Sequence, residues 1–412
     1  MTSSGNLSSR QQPQSGVAGA GLAPGYAVRI ALFFTALFLV AGAKLPYLPV
    51  WLSWRGLSGT EIALITSAPL FLRILAGPLI AMAADWSGNR RLAAMVLSWV
   101  SLAGLLALVL AVSFTQILVA IIIMALASTG IMPIAETLAM TGVRRAGLDY
   151  GRMRLWGSVS FIVAGFIVGV AIERSGAGAV LWTIVVFAIV SAGVAHALPA
   201  EPADTDSRKP EGRPRFSLGQ AKALFLERRF LLFLVAAGAV QASHGLFYTF
   251  GVIEWQRQGL SSSWAAMLWA VGVVVEIAIF AVSARAVATF GATGLLLLGA
   301  GAALVRWTAM AFSPAIPLLI ALQALHGLTF GAAHLGALHI LARLVPSHAA
   351  GTAQALYASV GSGIGLGLAT MAAGPLYAAY GGRAYLAMAL LAGVSIAAGL
   401  ALHAIMRQQK TA

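Results

Sequence analysis

Twelve runs of apolar residues follow one another along the chain, each close to the roughly 20 residues a helix needs to cross the hydrocarbon core of a bilayer. They lie near 27–49, 60–83, 92–112, 115–140, 152–172, 178–198, 230–254, 263–286, 292–312, 316–341, 351–378 and 383–406. Composition agrees: 60% of the residues are hydrophobic and only 9% charged, where a soluble chain carries about 25% charged residues. The mean hydropathy is +0.89. The 45 glycines suit helices that must approach closely without a hydrophobic effect to draw them together. The expected fold is an all-α membrane protein of twelve transmembrane helices in two six-helix bundles.

One long polar segment, 199–229, carries Glu201, Asp204, Asp206, Arg208, Lys209, Arg213 and Arg215 with four prolines, and divides the spans six and six. The expected organisation is a disordered tail (1–25), an N-terminal bundle (26–198), a cytoplasmic linker (199–229), a C-terminal bundle (230–406) and a short tail (407–412). Residues 1–25 are rich in Ser, Gly and Gln and lack the apolar core of a secretory signal, so the first span reads as uncleaved. Of the 26 Lys and Arg, nineteen fall in the termini and even-to-odd loops. Arg55, Arg174, Arg257 and Arg383 fall in the opposite loops, and Lys44, Arg73 and Arg306 inside spans. The positive-inside rule then puts both termini in the cytoplasm. The net charge of +14 is a topology signal, and basic residues scattered over membrane loops do not make a nucleic-acid surface. No cysteine is present, which excludes disulfides and thiolate metal sites.

Charges inside spans point to function. Glu276 is the one charge in the run 268–282. An acid at the centre of a membrane helix costs roughly 2.5–3.5 kcal/mol, and such residues usually face a polar cavity on an ion or substrate path. Arg73, Glu136, Arg306, His244, His326 and His334 share this placement. Polar and aromatic residues of the second half recur at helical spacing and so fall on single faces: Gln241, His244, Tyr248 and Trp255 in the seventh span, Trp269 and Glu276 in the eighth, Gln323, His326, Phe330 and His334 in the tenth, Gln354 and Tyr357 in the eleventh. Such faces line a common wet cavity or form interhelical hydrogen-bond seams. Glu276 needs a proton or a cation beside it, and Arg306 is the candidate partner, with His326 placed to titrate or to hydrogen-bond a ligand.

Several motifs carry a family resemblance. The loop Asp85-Trp86-Ser87-Gly88-Asn89-Arg90-Arg91 resembles the D-x-x-G-x-R-R loop of the major facilitator superfamily, although Ala81 stands where a Gly is usual and the corresponding loop 284–288 has no acid. Asp149-Tyr150-Gly151-Arg152-Met153-Arg154-Leu155-Trp156-Gly157-Ser158 is similar to the D-Y-G-x-x-R-L-W-G-S signature of the phenylpropionate permease branch, which is related to lactose permease and the nucleoside–proton symporters. Gln241-Ala242-Ser243-His244, Gly272-Val273-Val274-Val275-Glu276, Val305-Arg306-Trp307 and Gln323-Ala324-Leu325-His326 extend the similarity over roughly residues 27–400.

The resemblance implies a major facilitator fold and a carrier working by alternating access, coupled to protons through Glu276, Arg306 and His326. No cofactor is expected beyond the proton gradient. The implied substrate is a small aromatic carboxylate such as 3-phenylpropionate, with Tyr248, Trp255, Trp269 and Phe330 compatible with a ring. A sugar or nucleoside symporter, a drug–proton antiporter and a non-transporting sensor are the alternatives. A carboxylate ligand needs a fixed cation, for which Arg306, then Arg73, is the candidate. The family carries an Arg matching Arg73 and an Asp matching Glu136, and these two are expected either to pair across spans two and four on the cavity wall or to bind substrate there. Asp85, Arg90, Arg91, Asp149, Arg152 and Arg154 are expected to gate the cytoplasmic side. The expected setting is a bacterial inner membrane, the expected partners are solute, protons and lipid, and a monomer is expected.

Other features have plainer readings. Ser58-Gly59-Thr60-Glu61 fits a capping box opening the second span. Lys44 is expected to snorkel to the outer interface. The glycines of 361–367 sit in an apolar span without a preceding strand, so they serve helix packing rather than a nucleotide. No His-Glu-x-x-His motif, nucleophile elbow or metal-spaced acid cluster occurs, and an enzyme is not expected.

Overall fold

The computed structural model describes residues 22–199, 218–346 and 349–411. The expected tail before residue 22 and the charged part of the linker, 200–217, lie outside the described residues. The first half holds α1 (Tyr26–Trp54), α2 (Gly59–Ser87), α3 (Arg90–Leu110), α4 (Phe114–Ala146), α5 (Tyr150–Ser175) and α6 (Ala179–Ala195). The second begins with a short α7 (Leu218–Leu226), inside the segment expected to be linker, and continues with α8 (Arg228–Ala242), α9 (Gly245–Arg257), α10 (Ser262–Ala281) and α11 (Ser283–Met310). It ends with α12 (Ile316–Ala324), α13 (Ala333–Leu344), α14 (Ala350–Tyr357), α15 (Leu366–Tyr380) and α16 (Tyr385–Thr411).

Ten helical runs among the described residues are long and apolar enough to cross a membrane. One of them, Ala350–Gln408, is 59 residues long, about 88 Å at 1.5 Å per residue. It is interrupted at Gly381, whose φ is +55°, so it serves for two crossings. The 17-residue apolar helix Ala179–Ala195 is a further candidate, and the architecture is consistent with twelve spans.

Local chemistry sets the boundaries. Ser58 and Glu61 form the expected capping box, with Ser58 N donating to Glu61 Oε2 at 2.8 Å and Glu61 N to Ser58 Oγ at 3.3 Å. Ser113 and Gln116 make a second one at α4, and Asp149 caps α5 by accepting from Arg152 N. These side chains satisfy amides that a helix start leaves without partners. The connection 284–288, expected as a loop, is instead a helical turn at the start of α11, and the chain bends at Gly291, where φ is +65°. A left-handed residue inside a helix is tolerated by glycine because it has no Cβ to clash.

The seventh span is bent rather than continuous. His244 N donates to Gln241 O, three residues back, which tightens the chain between α8 and α9. Two widened, π-type segments occur in the second half, Gly327–Ala332 between α12 and α13 and Ala358–Gly365 between α14 and α15. Such segments bond to the fifth residue back and often accompany functional sites.

The halves meet at the end carrying the turns 55–58, 176–178 and 258–261. On one flank Glu173 Oε1 accepts from Ser263 N at 2.8 Å, and Tyr47 donates to Ser262 O at 2.9 Å. On the other, Gly374 lies so close to Gly59 that a Cβ would come 2.6 Å from Gly59 O and from Ala63 Cβ. Between these seams a cavity of about 350 Å³ opens at mid-depth, bounded by α1, α2, α4, α9 and α15.

Candidate functional site at the centre of the bundle

Three of the residues singled out in the sequence form one chain of contacts. Glu276 Oε2 lies 3.7 Å from His326 Nε2, and His326 Nδ1 lies 3.0 Å from Arg306 Nη1. A guanidinium only donates hydrogen bonds, so Nδ1 of His326 accepts from Arg306. Neutral His326 therefore carries its proton on Nε2, the nitrogen facing Glu276. Arg306 Nη2 donates to Gln323 Oε1 at 2.6 Å, and Nη1 also reaches Thr329 Oγ1 at 3.3 Å.

The network continues to the bend in the seventh span. His244 Nδ1 is 3.0 Å from Val240 O. A carbonyl can only accept, so Nδ1 donates and leaves Nε2 free to accept from Thr329 Oγ1 at 3.1 Å. Thr329 thus links Arg306 to His244, and it sits in the first π-type segment.

Aromatic rings enclose this polar chain. The Arg306 guanidinium lies 4.6 Å from the Phe247 ring centre and 4.5 Å from that of Trp307, which favours the cation electrostatically. Trp269 stacks on Phe247 at 4.9 Å, Tyr248 on His244 at 5.5 Å, and Phe330 lies between His326 and His334 at 5.6 and 6.0 Å. Arg306 is fully buried, although a cation as far inside the bilayer is costly. Its fork and the two rings offset that cost.

The remaining expected binding residues are dispersed. Gln241 pairs with Tyr357, whose ring packs on Phe233 at 5.3 Å, which makes a seam between α8 and α14. Trp255 is buried against Phe247 at 5.8 Å and does not line the central cavity. Gln354 is exposed on α14. Tyr248 does border the cavity, with Arg73 and Lys44.

Two charge readings change. Arg73 does not pair with Glu136: its Nη2 donates to the carbonyl of Ser362, in the second π-type segment of the other half. The register explains this. Gly130 of α4 packs on Ile80 of α2, whereas the α4 residues level with Arg73 are Ile121, Met124 and Ala125, which share its cavity. Glu136 lies twelve residues beyond Met124, about 18 Å along the helix, where it is exposed and its charge acts on Tyr150. Lys44, expected at the outer interface, borders the cavity instead.

Of the expected gating residues, Asp149 and Arg152 form an exposed pair at 3.5 Å. Arg154 lies 4.0 Å from the Phe38 ring centre, and its charge reaches Glu276 across the gap between halves. Arg91 donates to His196 O at 2.7 Å, joining α3 to the end of α6. Arg90 is engaged in a polar or ring contact, and the side chain of Asp85 lies outside the described residues.

Sequence reasoning passed over Thr329, Phe247 and Glu254. Phe247 lies three residues after His244 and shares its face, so the helical spacing already marked it. Glu254 is buried and accepts from Arg257, Gln258 and Tyr377, each at 2.8 Å, an anchor between the seventh and eleventh spans. No group of three His, Asp or Glu that could hold a metal is present among the described residues.

The comparisons agree with this architecture. The MFS_1 like family matches residues 27–387. A probable 3-phenylpropionic acid transporter of Escherichia coli (strain K12) is 32% identical over 88% of this chain and 94% of its own. A maltose permease of Geobacillus stearothermophilus is 30% identical over 84% and 86%. Among solved structures, the nucleoside transporter NupG superposes with a TM-score of 0.80 over 92% of this chain and 99% of its own, at 16% identity, a likeness of fold. The relatives are membrane transporters rather than enzymes, and the chain belongs to the MFS_1 like family of major facilitator transporters.

Proposed function

We propose that the chain is a proton-coupled symporter of a small aromatic carboxylate, such as 3-phenylpropionate, working by alternating access in a bacterial inner membrane with both termini in the cytoplasm. The observation that carries the coupling is the contact of Glu276 with His326, in line with the Arg306 network. Glu276 is the acid of this contact network, it is part-buried, and its neighbour presents a proton toward it. A carboxylate whose partners change as the halves move can take up and release a proton during a transport cycle. The closed seam at Glu173–Ser263 and Gly59–Gly374 corresponds, in this orientation, to the periplasmic end.

The relative from Escherichia coli supports the choice of an aromatic acid, and the cavity's composition supports it too. Lys44 and Arg73 are among its lining residues and no acid is. A sugar would instead call for several paired acceptors and donors. The maltose permease keeps a sugar as the second reading.

Uptake by purified protein in liposomes tests this. Labelled 3-phenylpropionate should accumulate well beyond the level reached by protein-free liposomes when the outside is made acidic, and should not when the gradient is collapsed by a protonophore. Accumulation of maltose but not of the acid would favour the sugar reading.

A further inference from the structure

We propose that Lys44 is the anion-binding residue of the cavity between the halves, with Arg73 as its second cation. This rests on the reading of the chain as an organic-acid carrier for the identity of the ligand, although not for the existence of the anion site.

The position of Lys44 is the first ground. It lies at mid-helix in α1, flanked by buried Ala43 and Pro46, and borders two hollows. One is the central cavity of about 350 Å³. The other is a hollow of about 150 Å³ whose wall includes Ser98, Ser101, Ser128 and Ser191. Neither lining includes an aspartate or glutamate. Among the described residues Lys44 has no hydrogen-bond or ion-pair partner. A lysine in the middle of a membrane protein costs at least about 2.5 kcal/mol, and a cation kept there without an acid suits a site whose anion arrives with the ligand.

The second ground is elimination within the cavity. Arg306, the strongest candidate by sequence, is fully buried, and both its terminal nitrogens are held by Gln323, His326 and Thr329. It is absent from the cavity wall. Arg73 is on that wall but donates to Ser362 O. Lys44 is the cation with its donors unspent. The rest of the wall is mostly apolar, with Leu48, Pro69, Met124 and Leu366, and Tyr248 supplies an aromatic side. Small-molecule sites commonly have this form, apolar with a few placed polar groups, and volumes from about 300 Å³ upward. The occupant this fits is a monocarboxylate with an apolar body.

Two measurements on purified full-length protein test it. In the first, Thr66, another residue of the cavity wall, is replaced by what becomes the chain's sole cysteine. Its reaction rates with an anionic sulfonatoethyl and a cationic trimethylammonioethyl methanethiosulfonate are then compared. The anionic reagent should be favoured, and adding Lys44→Gln should lower the ratio about tenfold, while Lys44→Arg should preserve it. In the second, binding of 3-phenylpropionate is compared with that of its neutral amide. Lys44→Gln should weaken acid binding at least about tenfold and amide binding less than about twofold. An unchanged reagent ratio, or equal losses for acid and amide, would overturn the assignment. If the reagent ratio falls but the wild type does not bind 3-phenylpropionate, the anion site stands and the aromatic-acid reading fails.

Discussion

Nε2 of His326 lies 3.7 Å from Oε2 of Glu276 while Nδ1 of the same ring accepts from Arg306. The two contacts fix the tautomer: a proton on Nδ1 would oppose an Arg306 N–H at 3.0 Å. His326 therefore turns its Nε2–H toward Glu276, and on the coupling proposed above Glu276 is the group of the pair that would exchange a proton. Its position on α10, facing α5 of the other half, makes its surroundings depend on how the halves sit.

The two faces of His326 can be separated by substitution. Asparagine places an acceptor near the Nδ1 position and nothing at Nε2, so His326→Asn should keep the Arg306 bond and lose the contact with Glu276. Leucine loses both and leaves a buried N–H of Arg306 without its acceptor, a cost of about 1–3 kcal/mol. Thermal unfolding in detergent should place the Asn variant near the wild type and the Leu variant clearly below it. Equal losses of stability would show that the Arg306 contact does not hold the ring.

Arg306 itself is predicted to act through structure. Arg306→Lys keeps the charge but cannot reach Gln323, His326 and Thr329 together, since an ammonium lacks the fork of a guanidinium. Loss of one such bond should cost about 1.5–3 kcal/mol of stability. Affinities for 3-phenylpropionate and its amide should fall by the same factor. A loss confined to the acid would return Arg306 to the role of carboxylate ligand.

Much of this was legible in the sequence, because a bilayer forces apolar runs of fixed length and makes every charge inside them conspicuous. Glu276, His326 and Gln323 fell on polar helix faces, Arg306 stood out as a charge inside a span, and the four meet as a cluster. What the sequence did not carry was depth and rotation between helices. Arg73 and Glu136 are both charged and both inside spans, yet the α2–α4 register separates them by about 18 Å. Lys44 has a stem long enough to reach either an interface or a cavity, and spacing within α1 does not distinguish the two. Periodicity also assumes an unbroken helix, so the bend at His244 and the π-type segments that carry Thr329 and Ser362 left no signal in it.

The seam between halves should yield at named contacts. Glu173→Ala removes the carboxylate that accepts from Ser263 N, and Gly374→Ala inserts a methyl where Gly59 O and Ala63 Cβ are 2.6 Å away. Overpacking of this kind costs about 1–3 kcal/mol. With Thr66→Cys as the sole cysteine, labelling by an impermeant reagent added outside intact cells should rise several-fold in either variant. Unchanged labelling would mean that these contacts do not close the outer end.

The most direct measurement concerns Glu276. Glu276→Gln keeps the size and the contact with His326 but removes the exchangeable proton, so the variant cannot link solute movement to the gradient. In liposomes loaded at neutral pH and placed in an acidic medium, the wild type should concentrate labelled 3-phenylpropionate. The Gln variant should still bind the acid and exchange it across the membrane, but accumulate it no further than protein-free liposomes do under the same gradient. Uphill accumulation by the Gln variant equal to that of the wild type would contradict proton coupling through Glu276.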